Sequence, residues 1–249
     1  MSVSPSPRQN NLLAALPKAD YERLLPNLEF VGMPLGEVLH TTGGALPYIY
    51  FPTTCIVSLV YVMANGASAE IAVTGYEGLL GVSLFLGGHT TSNQAVVQSG
   101  GHAYRVAEQV IKKEFDQGGP LQHLLLLYTQ ALIAQMAQTA VCNRHHSLDK
   151  QLCRWLLLSL DRLRSGELKM TQELIANMLG VRRQGVVEAA GNLHRAGLID
   201  YQRGHINVLD RPGLEARVCE CYAVVKREYD RLLPRGGAPR REDTRAGDQ

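Results

Sequence analysis

The period of the apolar residues changes near Pro120, and this change restricts the chain to folds in which a β-rich part is followed by helices. Between Phe30 and about Val110, short runs rich in Val, Ile, Tyr and Thr are separated by glycines and prolines. Their spacing of roughly ten residues is typical of an antiparallel barrel or sandwich. The runs span residues 48–51, 55–63, 69–73, 95–98 and 102–106.

After Pro120 the apolar residues repeat at alternating steps of four and three, as in a coiled-coil seam. We predict a long helix that forms a dimer interface through Leu121, Leu125, Tyr128, Leu132, Met136 and Thr139. The alternative is that this face packs against the chain's own β part. Because the flanking positions are also apolar or small, the helix must be covered on more than one side. A β part on one side and a dimer partner on the other would satisfy this requirement.

Charge is distributed unevenly along the chain, although the net charge of the 249 residues is only +2. Residues 1–146 carry 7 Lys and Arg against 9 Asp and Glu, whereas residues 147–249 carry 18 against 14. A polyanionic partner is therefore expected to meet the second half of the chain.

The sequence predicts a cytoplasmic protein that does not enter a membrane. The N-terminus lacks the basic start and apolar run of a secretory signal, and the five cysteines are scattered, as is usual for reduced thiols. The long uncharged stretches, residues 38–69 and 117–143, are interrupted by Gly and Pro or by Gln and His, so neither makes a good membrane span. Cys219 and Cys221 are closer in sequence than a usual metal clip and have no CxxC partner elsewhere, so we expect a structural role for them, with a redox or metal-binding role as the alternative.

A compact pattern between Thr171 and Gly197 predicts a helix-turn-helix. A platform helix is expected first, beginning near Ser147 and ending before Gly166. Thr171 can then cap the first helix of the motif, and Gly180 can end that helix in the left-handed conformation. The second helix is expected over residues 182–196.

The outward face of this second helix carries residue types that bind DNA. Val186, Ala190 and Leu193 fall on the opposite, buried face. Arg pairs with guanine, Gln with adenine and Glu with the cytosine amino group, while Arg and Asn also hold phosphates. An ordinary solvated face is the alternative. The residues of the motif expected to bind DNA are Thr171, Arg182, Arg183, Gln184, Gly185, Glu188, Asn192 and Arg195.

Residues 198–208 favour the DNA-binding interpretation, because two alternating runs flank the segment Gln202-Arg203-Gly204-His205. Such a pattern predicts a β-hairpin. A hairpin directly after a helix-turn-helix is a wing, and its tip would place Arg203 and His205 beside the second helix. There they could contact a second phosphate or the minor groove.

The order of helical cap, β-roll, long helix and winged helix-turn-helix resembles the Crp/Fnr superfamily of bacterial transcription regulators. The resemblance covers roughly residues 12–233 and is most specific in the segment MTQELIANMLGVRRQGVVEAAGNLHRAGLI, residues 170–199. It implies an α+β chain with an antiparallel β-roll sensor domain over 11–116, a dimerisation helix over 117–146 and a winged helix-turn-helix over 147–233. A disordered tail is expected over 234–249 from its composition.

The resemblance also implies what the protein does. It points to a homodimeric regulator rather than an enzyme, with double-stranded DNA and RNA polymerase as partners. The relatives commonly have Ser or Thr for a phosphate contact where this chain has Gly185, so either the backbone approaches DNA closely there or the contact is missing.

The nucleotide-binding cassette of the family is degenerate in this chain. Cyclic-nucleotide-binding members supply a Glu and an Arg where this chain has Val82 and Gln94; the degenerate cassette comprises Gly81, Val82, Ser83 and Gln94. A buried phosphate without a cation is costly. We therefore expect a small-molecule effector of another kind, or none. A response to cyclic AMP or cyclic di-GMP is the alternative.

No cofactor or metal is expected. The iron–sulfur members of the family use an N-terminal cysteine group, whereas the first cysteine here is Cys55. Haem-sensing members use a histidine, and His40, His89, His102 and His123 are available, but a lone histidine in a β-roll is more often structural. A cupin-like metalloenzyme is a further alternative, against which the absence of His-x-His between residues 30 and 110 counts.

Overall fold

A computed structural model describes residues 6–163, 168–202 and 205–233. The tail predicted to be disordered, residues 234–249, lies outside these ranges. The strands of the N-terminal part are β1 (Glu29–Met33), β2 (Val38–His40), β3 (Tyr48–Pro52), β4 (Ile56–Val62), β5 (Ser68–Thr74), β6 (Gln94–Ser99) and β7 (Gly101–Ala107). The C-terminal part adds β8 (Leu168–Lys169), β9 (Ile199–Gln202) and β10 (His205–Val208).

The helices follow the same order along the chain. They are α1 (Asn11–Ala15), α2 (Lys18–Leu24), α3 (Val82–Phe85), α4 (Glu108–Asp116), α5 (Pro120–His145), α6 (Leu148–Leu160), α7 (Gln172–Leu179), α8 (Arg183–Arg195), α9 (Arg211–Arg217) and α10 (Glu220–Leu232).

The N-terminal strands form two antiparallel sheets, with the orders β1-β7-β3 and β2-β6-β4-β5. The β-branched and aromatic residues that predicted strands lie in β3 to β7, where Ile49, Phe51 and Ile56 are fully buried. Strand β2 is only three residues long, and β1 contains only two β-branched or aromatic residues, Phe30 and Val31, which is why the pattern did not predict them. The α+β class with an antiparallel β-roll is confirmed.

Helix α5 packs against both the N-terminal and the C-terminal part of the chain. Pro120 occupies its first turn, where the missing N–H costs nothing. The helix is long and apolar enough to cross a membrane by length and composition, but 44% of its most apolar stretch is buried inside the chain. The helix packs against β5 of the β-roll on one side and against α10 on another side. These contacts account for an apolar helix within a folded chain.

The side of α5 predicted to meet a dimer partner is covered by the chain itself. Leu121, Leu125, Tyr128, Leu132 and Thr139 are buried, and Met136 is half-buried. The Tyr128 hydroxyl donates a hydrogen bond to the Leu79 carbonyl at 2.9 Å, and this bond links α5 to the N-terminal part of the chain. The prediction that these side chains form an intermolecular seam is therefore corrected: they form the intramolecular seam.

A different stripe of α5 is exposed and nearly free of charge. We call it the outer stripe; it consists of Leu126, Gln130, Ile133, Ala137, Ala140 and Val141. Ile133 is 60% exposed, and Leu126 and Val141 are also well exposed. From Leu126 to Ala140 the members recur at steps of three and four, and Val141 lies four residues after Ala137, so they lie along one face of the helix. This face, and not the predicted one, is available to a second molecule.

A buried polar network joins the sheet β2-β6-β4-β5 to α6. Ser58 Oγ lies 2.5 Å from Glu70 Oε2 and 2.7 Å from Gln98 Oε1. Gln98 in turn donates through Nε2 to Ser159 Oγ at 3.1 Å. Because buried polar groups must be hydrogen-bonded, the network fixes how α6 sits on the sheet.

Arg162, two residues after the end of α6, makes a second connection to the β-roll. It is 4% exposed and donates through Nε to the Val73 carbonyl at 3.0 Å. Its guanidinium also pairs with Glu77 and donates to Gln135 of α5. The segment after α6 is thus attached to both the β-roll and the long helix.

Candidate nucleic-acid interface

Two short-range caps define the helix-turn-helix. The Thr171 side chain accepts a hydrogen bond from the Leu174 N–H at 3.1 Å and so caps α7. Gly180 ends α7 at φ 67°, and a side chain there would also meet Ala69 and Ser68 of β5 at 3.2 Å. Helix α8 begins three residues later, as the pattern predicted.

Helix α8 presents its polar residues to solvent. Val186, Ala190 and Leu193 are buried, as predicted. The side chains of Arg182, Arg183, Gln184, Glu188 and Arg195 are exposed. Because three arginines stand against one glutamate, this face carries a net positive charge and suits the DNA backbone.

Val187 extends the exposed face and was not singled out from the sequence. It is 44% exposed and lies one turn after Arg183 and Gln184. An exposed valine on such a face can contact a thymine methyl group. The sequence placed Val186 on the buried face, so the next residue, Val187, could have been predicted to lie outside that face.

Asn192 does not point freely outward, contrary to the prediction. Its amide nitrogen donates to both carboxylate oxygens of Asp149 at 3.3 Å, and its carbonyl oxygen accepts from Arg195. Arg217 of α9 reaches the same carboxylate at 3.1 Å. The side chain of Asn192 is therefore committed to holding α8 against α6.

Gly185 lies where α8 faces α6. A Cβ atom at this position would lie 2.9 Å from Leu148 Cδ2, the far end of a flexible side chain that would have to shift to make room.

The predicted wing is a small antiparallel sheet. Strand β9 pairs with β10, with Ile206 opposite Tyr201 and Val208 opposite Ile199, and β8 adds a third strand on the other side of β10. Arg203 lies outside the described residues, and His205 is the first residue of β10. The hairpin expected after the helix-turn-helix is thus present.

The sensor domain contains a cavity of about 220 Å³ between the β-roll and α5. Gly81, Val82 and Ser83 of the degenerate cassette line it, and Ile133 and Met136 of α5 close one side. Gln94, at the start of β6, is not among the lining residues. Among the described residues that line this cavity, none is Lys, Arg, Asp or Glu, so a phosphate would find no charged partner there.

One titratable group lies in this cavity. Burial lowers the pKa of His40, and its contact with Asn93, 3.2 Å between Nε2 and Oδ1, opposes the shift. The imidazole is therefore neutral at neutral pH, and the cavity stays uncharged.

Comparison with known proteins agrees with this architecture. Residues 150–217 match the family model of the Crp-like helix-turn-helix domain. No curated protein sequence matches the chain. A transcriptional regulator of the Crp/Fnr family from Eubacterium rectale is 18% identical at a TM-score of 0.63, covering 84% of this chain and 97% of its own.

Two further solved structures have the same fold. FixK2 from Bradyrhizobium japonicum is 16% identical at a TM-score of 0.64, covering 77% of this chain and 98% of its own. The cyclic di-GMP-responsive global regulator CLP from Xanthomonas campestris is 12% identical at a TM-score of 0.60, covering 78% of this chain and all of its own.

The fold and the exposed face of α8 together define a chain with a helix-turn-helix DNA-binding domain. Residues 150–217 are similar to the Crp-like helix-turn-helix domain, and the chain has the fold of solved Crp/Fnr regulators.

Proposed function

We propose that this protein binds a two-fold symmetric DNA site as a homodimer and couples that binding to a signal received by the β-roll. The observation that carries the proposal is the exposed, net positive face of α8, which begins with Arg182, Arg183 and Gln184. The N-terminal half of such a helix enters the major groove in helix-turn-helix proteins. The proposed division of labour is a sensor domain over 11–116, a dimer helix over 117–146 and a DNA-binding domain over 147–233.

Within α8 we assign base reading to Arg183, Gln184 and Glu188. The three side chains are exposed and lie in the first two turns of the helix. Arg182 and Arg195 sit toward the two ends of the face and suit phosphate contacts. Thr171, Arg203 and His205 are proposed to hold the flanking backbone.

Dimerisation is proposed to use the outer stripe of α5. An exposed face that combines Leu126, Ile133 and Val141 without a charged residue between them is poorly matched to water. Two copies packed in parallel along this face would bury it and bring two α8 helices to one side of the DNA. Two-fold symmetry of the protein then predicts half-sites about one helical turn apart.

The cavity beside the outer stripe is the proposed effector site. Because Ile133 belongs both to the cavity lining and to the outer stripe, a ligand in the cavity would alter packing at the dimer interface. The uncharged lining favours a mainly apolar effector over cyclic AMP. Cyclic di-GMP, to which the regulator CLP responds, is retained as an alternative that could bind through arginines outside the cavity.

The remaining partners follow from the class of protein. A regulator of this fold acts on transcription in the cytoplasm through contacts with RNA polymerase, and it needs no catalytic centre. We propose all three features for this chain.

A selection from random DNA tests the DNA-binding proposal. The purified full chain should enrich a two-fold symmetric sequence. The double variant Arg183→Ala with Gln184→Ala should lose that enrichment, whereas Arg227→Ala, which removes an exposed positive charge from α10, should retain it. If the parent chain enriches no sequence, the proposal is wrong.

A further inference from the structure

Three thiols and one imidazole meet where the end of α5 contacts the start of α10. Cys142 lies in the last turn of α5, and His146 directly follows that helix. Cys219 directly precedes α10, and Cys221 lies in its first turn. One ligand atom from each of the four lies within 4.8 Å of the others. The cysteines are 0–3% exposed, and the His146 side chain is 14% exposed.

The spacing of these atoms fits a tetrahedral metal ion. Cys142 Sγ and Cys219 Sγ are 3.6 Å apart, and Cys221 Sγ is 3.4 Å from His146 Nδ1. An ion about 2.3 Å from each sulfur and about 2.0 Å from a nitrogen holds its ligand atoms roughly 3.5 to 3.8 Å apart. The measured distances therefore need little rearrangement to receive such an ion.

Local sequence explains how the four side chains converge. Cys142 and His146 are four residues apart, so they lie on the same face at the end of α5. Cys219 is the N-cap residue of α10, and Cys221 lies two residues later. The partial positive charge of a helix N-terminus favours thiolates placed there.

Neighbouring groups support the four ligands. Glu220 Oε1 lies 3.4 Å from His146 Nε2, an arrangement that leaves Nδ1 directed at the sulfurs and able to ligate. Gln138 Nε2 donates to Cys221 Sγ at 3.1 Å, a contact that stabilises a thiolate. Metal-binding histidines and cysteines commonly have such partners, which orient them.

We propose that Cys142, His146, Cys219 and Cys221 bind one Zn²⁺ ion. Binding converts three thiols to thiolates with release of three protons, while the imidazole stays neutral, so the complex carries one net negative charge. Four protein ligands complete the coordination of zinc and leave no open position, as in a structural site. The close spacing of the ligand atoms favours a single ion over an iron–sulfur cluster, which needs its ligands farther apart.

The ion would clip the last helix of the DNA-binding domain to the helix proposed for dimerisation. Cys142 and Cys219 are 77 residues apart in sequence, so the clip closes a long loop that includes α6 to α9. A closed site of this kind stabilises the folded state because the unfolded chain cannot present the four ligands together. Removal of the ion should therefore loosen the DNA-binding domain from α5.

Metal analysis of the full chain tests the proposal. Protein purified under reducing conditions should contain about one zinc per chain. Apo protein titrated with Co²⁺ should develop thiolate-to-cobalt charge-transfer absorption and the intense visible bands of tetrahedral cobalt, and Zn²⁺ should abolish both. This spectrum is measured on the parent chain, so it does not depend on whether a variant folds.

Variants locate the ion. Cys142→Ser and Cys221→Ser should each lower the zinc content and weaken the cobalt absorption, and a chelator should lower the Tm of the parent chain by several degrees. Cys55→Ala, which removes a buried cysteine of the sensor domain, should change none of these. The proposal is overturned if the reconstituted parent binds no zinc, if Cys55→Ala loses the metal as readily, or if metal-free protein from cells carries a Cys142–Cys219 disulfide.

Discussion

Arg162 and Glu77 form a buried ion pair, with 2.8 Å between Nε and Oε1, that joins the end of α6 to the loop after β5. Burial raises the pKa of Glu77, and the Arg162 guanidinium opposes that shift. The carboxylate also accepts the Gly75 N–H at 3.0 Å. Because both groups are buried, the loss of either partner would leave the other charge buried and unpaired.

Glu77→Gln is expected to destabilise the fold by about 3–5 kcal/mol, because it leaves the Arg162 charge buried without a counterion. Urea unfolding of the parent and the variant measures this difference. Glu29→Gln, which breaks the exposed pair with Arg105, is the matched control and should have little effect. Equal losses in the two variants would contradict the distinction between the buried and the exposed pair.

Glu70 should make stability depend on pH. Burial raises its pKa to about 7, and the Ser58 hydroxyl and two arginines oppose that shift. Ser58 has a single proton for two oxygens, so a protonated Glu70 can supply the second hydrogen bond. Between pH 4.5 and about 7 the unfolded chain releases a proton that the folded chain keeps, so the stabilising contribution is lost as pH rises through this window.

Glu70→Gln should remove this dependence. At pH 8 the variant should be more stable than the parent by up to about 3 kcal/mol, and the advantage should shrink toward pH 5. Unfolding free energies at pH 5, 6, 7 and 8 provide the comparison. A difference that stays constant over this range would show that Glu70 does not titrate as described.

Base readers and phosphate holders should respond differently to substitution. Alanine at Arg183, Gln184 or Glu188 should cost about 1 to 3 kcal/mol on the preferred site and relax the preference at one base pair per half-site. Arg203→Ala should weaken binding to all sequences and reduce the slope of log affinity against log salt by about one unit per contact. Uniform loss at Arg183 with position-specific loss at Arg203 would reverse the assignment.

The outer stripe should control oligomeric state. Ile133→Glu together with Ala137→Glu places carboxylates in an apolar interface and should yield a folded monomer, detected by sedimentation at micromolar concentration. Leu35→Glu, at an exposed apolar residue outside α5, should leave the dimer intact. Leu125→Glu should instead unfold the chain, since Leu125 is fully buried within it. A dimer that survives the double substitution would exclude the outer stripe as its interface.

Cyclic AMP should leave DNA affinity unchanged, because the cavity beside Val82 offers no charged partner for its phosphate. Isothermal calorimetry of the purified chain should show no binding at low micromolar nucleotide. Cyclic di-GMP is measured in parallel. Saturable binding of cyclic AMP in this range would contradict the interpretation of the cassette.

The helix-turn-helix could be predicted closely because its boundaries are local. Thr171 caps α7 and Gly180 ends it through contacts within a few residues, and such signals are visible in a single sequence. The strands β3 to β7 were predictable for the same reason, since short β-branched runs bounded by glycine and proline need no tertiary information.

The features that could not be predicted depend on which surfaces pack against each other in the folded chain. Helix α5 is apolar almost all round, so the stripe with Leu125 and the stripe with Ile133 both have the spacing of a seam; only the fold shows which one packs internally. The prediction that Asn192 points outward is wrong because its side chain is hydrogen-bonded to Asp149 of α6. Cys142 was not connected with Cys219 because the two are 77 positions apart in sequence and the residues between them give no sign that they meet.

The packing of α10 along α5 has a consequence for how the protein is made. Tyr222, Val225, Tyr229 and Leu232 are buried on α10, which is the last helix of the described chain to leave the ribosome. During synthesis, at about 5–20 residues per second, the sensor domain and α5 emerge well before this helix. The side of α5 that α10 covers therefore stays exposed until residues 220–232 have left the ribosome. A message cut short before residue 220 yields a chain whose sensor can fold but whose DNA-binding domain lacks its last attachment.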